Sequence, residues 1–208
     1  MSKKEGQRRA SIERLLNSAL HLFVSRGYRS TNLEQIANAA KLSKGTVYFY
    51  FGSKQAVLLA LLKRVRSIVV DDALRTAAQA GPEPADRLVA FLHHQATLGV
   101  THRDEVLLLV LMSIEFGNRR GAVRQCTAQI YRKLYAFVER LVREGQAGGT
   151  LRTDLQAREL ASIIMANHDG TFLEWYRRSA SLGGPALVRA LREVILSGIT
   201  ERTRRSAS

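Results

Sequence analysis

Between Thr31 and Lys54 the chain carries two short, apolar-patterned segments separated by a tight turn, a pattern that describes a helix-turn-helix. The first opens on Thr31-Asn32-Leu33-Glu34, which reads as a capping box. In that arrangement the Thr31 hydroxyl accepts from the Glu34 backbone N–H, and the Glu34 carboxylate reaches back to the N–H of Thr31. A helix from Asn32 to about Ala39 follows, with Leu33, Ile36, Ala37 and Ala40 inward. After the turn Ala40-Lys41-Leu42, Ser43 is an N-cap for a second short helix to about Tyr50. Ser53 is a third N-cap and opens a longer helix carrying Val57, Leu58, Leu61, Leu62, Val65 and Val69. Ahead of these elements, Ile12, Leu15, Leu16, Ala19, Leu20 and Phe23 recur at three- and four-residue spacing. They predict an amphipathic helix that props the pair and ends at Gly27.

The second short helix is poor in core residues. Val47 is its clear inward position, with Leu42 and Phe51 packing just outside its ends and Phe49 partly capping the core. Small polar groups near its start suit entry into the major groove of a duplex, where base edges are read. Tyr48 and Tyr50 can press on sugar and phosphate. The charge agrees: 32 Lys and Arg against 18 Asp and Glu leave a net +14. Of these, 13 basic and three acidic residues fall in residues 1–66, a net +10 suited to general attraction toward phosphate.

The segment Gly27–Leu62, and above all the block Ser43-Lys44-Gly45-Thr46-Val47-Tyr48-Phe49-Tyr50-Phe51 with Ser53-Lys54 after it, resembles the DNA-binding domain of the tetracycline-repressor (TetR) family of bacterial regulators. The resemblance covers roughly residues 8–62. It implies that Thr31 contacts phosphate from the start of the second helix, and that Lys44, Gly45, Thr46 and Tyr48 face the groove. It also implies that Tyr50 and Lys54 hold the DNA backbone, Lys54 from a helix start whose dipole attracts phosphate. Ser43 and Lys41 complete the expected DNA-binding set. Lys41 stands where the family often has glycine. A left-handed backbone there costs a lysine on the order of 1 kcal/mol, offset if its charge approaches phosphate.

Beyond residue 80 the chain reads as helix after helix. Gly81-Pro82-Glu83-Pro84 is the clearest break. A helix from about Ala85 to Val100 places Leu88, Phe91, Leu92, Gln95 and Leu98 on one side, and Asp104–Phe116 is apolar nearly all round and so central. Arg119–Gly145 is long and amphipathic, with Val123, Ile130, Leu134, Val138 and Leu141 inward, and ends at Gly148-Gly149. Thr153-Asp154-Leu155-Gln156 reads as a second capping box, opening a helix to about Ser179. Gly183-Gly184-Pro185 precedes a last helix, and the tail 201–208 is expected to fray. The expected fold is all-α with about nine helices. It comprises a helix-turn-helix domain at 1–52, a connecting helix at 53–80, and a region at 81–208 to which the resemblance assigns effector binding and dimerisation.

A duplex operator with two-fold symmetry requires a homodimer, and apolar positions Ile163, Trp175, Leu191 and Ile195 on the last two helices are its expected interface. Phe91, His94, Met112, Tyr131, Tyr135, His168 and Phe172 are the candidate effector pocket, polar or adaptable groups on apolar faces. His168 and Asp169 are adjacent on a helix, about 100° apart, which argues against their pairing. No metal site is expected, because His93, His94, His102 and His168 lack ligand spacing and Cys126 is the single cysteine. No cofactor motif is present, and an α-helical enzyme with a basic surface would need a nucleophile–base constellation that the sequence lacks. The longest dense apolar run, Val106–Ile114, is about half a membrane span, and no cleavable leader pattern follows the basic N-terminus, so a cytoplasmic protein is expected. The expectation is a dimeric transcriptional regulator, a repressor released from its operator by a small hydrophobic or amphipathic effector. A regulator without an effector is the alternative.

Overall fold

In the computed structural model the apolar spacing of the sequence becomes helix after helix; residues 3–178 and 181–200 are described. The elements are α1 (Lys3–Arg26), α2 (Leu33–Ala40), α3 (Lys44–Phe51), α4 (Lys54–Arg66), a π-helical turn (Ser67–Asp72), α5 (Ala73–Ala78), α6 (Pro84–Thr101), α7 (Arg103–Phe116), α8 (Ala122–Ala147), α9 (Ala157–Arg178) and α10 (Gly184–Ile199). From α4 through α5 the helix is unbroken, so the described residues form nine continuous helices. The expected end of α9 at Ser179 and the expected fraying of 201–208 lie outside the described residues.

The chain divides into two compact units: residues up to Ile68 with His102–Ile130, and Val69–Thr101 with residues from Tyr131 on. In the first, Leu15, Ala19 and Phe23 of α1, Ile36 and Ala37 of α2, Val47 of α3 and Val57, Leu58, Leu61, Leu62 and Val65 of α4 are all 0% exposed. Each of the larger side chains contributes roughly 1.5–3 kcal/mol by leaving water. Helix α7 packs on α1 and α4 and buries Val106–Val110 and Met112. It is not apolar-and-buried all round, however: Ile114 is 73% exposed. Arg64 of α4 joins three helices, donating to Asn17 Oδ1 (2.6 Å) and to Glu105 Oε1 (3.1 Å).

In the second unit α6 buries Leu88, Phe91, Leu92, Gln95 and Leu98. A π-helical turn shifts the hydrogen-bond register and frees a carbonyl, and the buried amide of Gln95 donates to Val69 O at 3.0 Å. Helix α9 adds Leu160, Ala161, Ile164 and Met165, and α10 adds Ile195 and Ile199. The second expected capping box does not form. Arg152 pairs through Nε and Nη2 with both carboxylate oxygens of Asp154 (2.7 and 2.6 Å), and its N–H donates to Ile199 O (2.8 Å). This holds 152–156 outside the helix, so α9 starts at Ala157. Leu151 forms an isolated bridge with Thr200, and no β-strand occurs among the described residues.

Candidate nucleic-acid interface

Helix α2 is capped one residue later than the Thr-x-x-Glu spacing suggests. Asn32 Oδ1 accepts from the N–H of Gln35 (2.9 Å), and Gln35 Oε1 accepts from the N–H of Asn32 (2.8 Å). Thr31 is instead 1% exposed, and its hydroxyl donates inward to Gly27 O (2.9 Å) and Leu22 O (3.3 Å). It ties the start of α2 to the end of α1, so its side chain does not reach the surface where a phosphate would lie.

The turn is closed by Lys41. With φ 54° and ψ 47° it is the one non-glycine residue of positive φ among the described residues. The N–H groups of Lys41 and Leu42 donate to Asn38 O and Ala37 O, satisfying the last carbonyls of α2. Ser43 then caps α3, accepting from the N–H of Thr46 at 3.1 Å, and its hydroxyl also lies 2.8 Å from that of Thr46. Two small polar side chains at the start of α3 therefore hold each other in place.

Val47 is the single buried residue of α3. At about 100° per residue, Gly45 and Phe49 sit opposite it, Thr46 and Tyr48 stand at the flanks, and Lys44, Tyr50 and Phe51 lean toward the core side. Exposure follows this wheel: Phe49 is 80% exposed and Tyr48 47%, while Tyr50 and Phe51 are half-buried. Phe49 is thus not a core cap, and the sequence reading missed it as part of the outward surface. The signal was available: two residues beyond the only core valine is nearly the opposite side of a helix. A Cβ added at Gly45 would meet only Ser43 Oγ, at 3.9 Å, so nothing inside the chain requires glycine there. Lys44 makes a loose exposed pair with Glu34 at 3.5 Å, an interaction worth little in water.

Lys54 also departs from expectation. Its ammonium donates to Thr31 O (2.6 Å), Tyr28 O (2.8 Å) and Arg29 O (3.4 Å), and stands 4.4 Å from the centre of the Tyr28 ring. Burial pushes its pKa down, and Glu115 opposes the shift. Burial, then Glu115, pushes the Tyr28 phenol up. Tyr28 packs edge-on against Phe23 and Phe116, and Arg29 pairs with Glu115 at 2.9 Å. Lys54 therefore fastens the start of α4 to the loop that sets α2 in place, with its donors already engaged.

Residues 15–61 match the sequence profile of the bacterial regulatory proteins of the tetR family, and residues 84–176 that of the tetracyclin repressor-like C-terminal domain. The MbdR regulator from Azoarcus sp. CIB, known as a crystal structure, is 45% identical with a TM-score of 0.83, the match covering 90% of this chain and 98% of that one. The chain belongs to the tetR family. It is a DNA-binding transcriptional regulator. A transcriptional regulator from Saccharomonospora viridis, solved in complex with choline, is 25% identical with a TM-score of 0.80, over 95% of this chain and 100% of that one. The fatty acid metabolism regulator protein of Bacillus subtilis strain 168 is 21% identical over 93% of this chain and 97% of that protein.

In this tetR-family chain the candidate effector residues do not all share one unit. Met112, 1% exposed, belongs to the first; Phe91 (0%) and Phe172 (8%) are core positions of the second. His94 of α6 is half-buried, and its Nε2 is shielded from water without a hydrogen-bond partner. Burial lowers its pKa, Asp72 opposes the shift and His93 adds to it. Tyr131 and Tyr135 stand one turn apart with ring centres 6.3 Å apart; burial and then Asp169 raise the pKa of Tyr135. His168 and Asp169 do pair, Nδ1 to Oδ1 at 3.1 Å. Adjacent Cβ atoms diverge on a helix, but the rotatable side chains close the gap. Of the candidate interface residues, Ile195 is 5% exposed and belongs to the core, and Trp175 packs beside Phe172 and against Gly184. Ile163 is 54% exposed, Leu191 is half-buried, and Val194, outside the expected set, is 65% exposed. No group of three or more metal-ligating side chains occurs among the described residues, and no helix there is long and apolar enough to cross a membrane.

Proposed function

We propose that this regulator is a cytoplasmic, homodimeric repressor that reads a two-fold symmetric operator through α3 and releases it when a small molecule binds the second unit. Ser43, Gly45, Thr46, Tyr48 and Phe49 form the reading surface, with Tyr50, Lys41 and Lys44 on the flanking phosphates. Thr31 and Lys54 belong to the frame beneath it. The observation that carries this reading is Gly45. A helical glycine costs roughly 1 kcal/mol relative to alanine, and no neighbour within the chain requires it. Its bare backbone, opposite the only buried residue of α3, suits close approach to a base edge.

Recognition then divides by chemistry. The mutually bonded Ser43 and Thr46 hydroxyls offer donors and acceptors already oriented toward the groove. The Phe49 ring offers an apolar face suited to a thymine methyl group. Lys41 and Lys44 supply position without sequence information. Two reading heads require two copies, and the exposed apolar side chains of Ile163 and Val194 are the surface assigned to that contact. The orphaned Nε2 of His94 supports an effector in the second unit, as does the choline held by the Saccharomonospora viridis relative. Release follows only if the effector and the operator favour different states of the dimer.

The test is Gly45→Ala, assayed on duplexes selected from a random-sequence pool by the parent protein. The variant is expected to melt higher, by about 0.5–1 kcal/mol of stability, while its affinity for the selected duplexes falls tenfold or more. Unchanged affinity would sink the assignment of α3 as the reading helix.

A further inference from the structure

The first three turns of α1 hold nothing in the core. From Lys3 to Ser11 no residue is buried, and the first buried side chain of the helix is Leu15, where the family match also begins. These nine residues extend the helix about 13 Å beyond its packed part. They carry Lys3, Lys4, Arg8 and Arg9 against the single acid Glu5. That placement works against the helix itself. Cations in the first turn oppose the helix dipole, Lys4 and Arg8 repel one turn apart, and Gly6 weakens the helix further. Arg8 and Arg9 are exposed and make no ion pair among the described residues. Four cations are thus held where they destabilise the isolated protein, which an anionic partner would reverse. Their position identifies that partner. Thr31 ties the start of α2 to the end of α1, and α2 folds back against α1, bringing the turn with Lys41 and Lys44 toward the basic end.

We propose that these turns are a second, sequence-independent DNA contact that grips the phosphate backbone beside the segment read by α3. The proposal rests on the DNA-binding activity of the family, not on which α3 side chains read bases. The contact makes binding tighter and more salt-sensitive without altering which sequence is preferred.

The experiment compares the full-length protein with a K3Q/K4Q/R8Q/R9Q variant on a fluorescent 40-base-pair duplex of mixed sequence, by anisotropy from 50 to 200 mM KCl. Glutamine keeps helix propensity, and circular dichroism checks that helix content is unchanged. Each lost phosphate contact flattens log K against log[salt] by about 0.9, so the slope is expected to fall by about 2–3.5. A control with the same change in charge, R132Q/K133Q/R158Q/R189Q, should leave the slope within about 0.5 of the parent. An unchanged slope in the α1 variant would overturn the proposal. So would an equal loss in the control, since net charge rather than α1 would then be responsible.

Discussion

The ammonium of Lys54 lies 2.6 Å from the carbonyl oxygen of Thr31, the residue whose hydroxyl pins the start of α2 to α1. The pair forms a closed frame: Thr31 fastens α2 to α1, and Lys54 fastens α4 to the same loop. Removing the charge leaves carbonyls without donors. Lys54→Met is expected to cost about 2–3 kcal/mol by urea unfolding. Lys54→Arg should recover only part, because a planar fork cannot replace a compact ammonium above the Tyr28 ring. Full stability in Lys54→Met, with DNA binding alone weakened, would return Lys54 to the phosphate contacts.

Lys41 should show stability and binding moving in opposite directions. Its left-handed backbone strains a lysine and not a glycine, so Lys41→Gly is expected to stabilise the free protein by up to about 1 kcal/mol. The same change removes a cation beside α3 and should flatten the salt dependence of DNA binding by about 0.9. Thermal melts and a salt titration of one variant read both effects; a stabilised variant with an unaltered slope would mean that Lys41 does not meet phosphate.

His94 sets a pH dependence on the acid side. Burial holds its folded-state pKa below the ordinary 6.5, while the unfolded chain titrates at that value. Above 6.5 the ring is neutral in both states and contributes nothing to the slope. As pH falls through 6.5 the unfolded chain takes up a proton that the folded protein resists. Stability is lost until pH passes below the folded pKa, where the loss levels off. His94→Phe is expected to lose less melting temperature than the parent between pH 7 and 5. Superimposable profiles would assign the acid sensitivity to other groups.

Glycine-to-alanine changes at two helical positions should have opposite signs. At Gly45 the added methyl meets open space, whereas at Gly145 of α8 it would stand 2.5 Å from Leu151 Cδ1 and 2.6 Å from its Cγ. Leu151 is 2% exposed, and its N–H is bonded to Gly145 O, so it cannot swing aside. Overpacking exceeds the gain in helix propensity, and Gly145→Ala should destabilise by about 1–2 kcal/mol. A variant as stable as the parent would show that the α8–α9 connection can yield.

Much of this architecture is legible because apolar period and capping chemistry are local. Val47 as the lone anchor of α3, the caps at Ser43 and Ser53, and the inward set of α2 follow from spacing alone. The errors arise where two local readings compete or a distant partner decides. Thr31-x-x-Glu34 and Asn32-x-x-Gln35 are both capping patterns, and burial of Thr31 against Leu22 and Gly27 selects the second. Thr153 fails to cap because Arg152 is held by Ile199, 47 residues away in sequence. The π-helical turn leaves no mark in apolar spacing, since Val65, Val69 and Ala73 recur every four residues as a helix allows. Lys54 was misread because a lysine at a helix start suits a phosphate or a carbonyl equally well, and only the fold brings Tyr28 and Thr31 to it.

Helix α3 is held by one valine and one serine cap. Ordering eight residues costs roughly 1 kcal/mol or more each in backbone entropy, and so little burial returns only part of it. Hydrogen exchange in the free protein should therefore be fastest in α3 among the helices of the first unit. A duplex that fits would complete the folding of this helix, and one that does not would leave it partly open. Sequence preference would then be registered as a difference in folding, with a negative heat-capacity change on specific binding larger than the contact area alone would give.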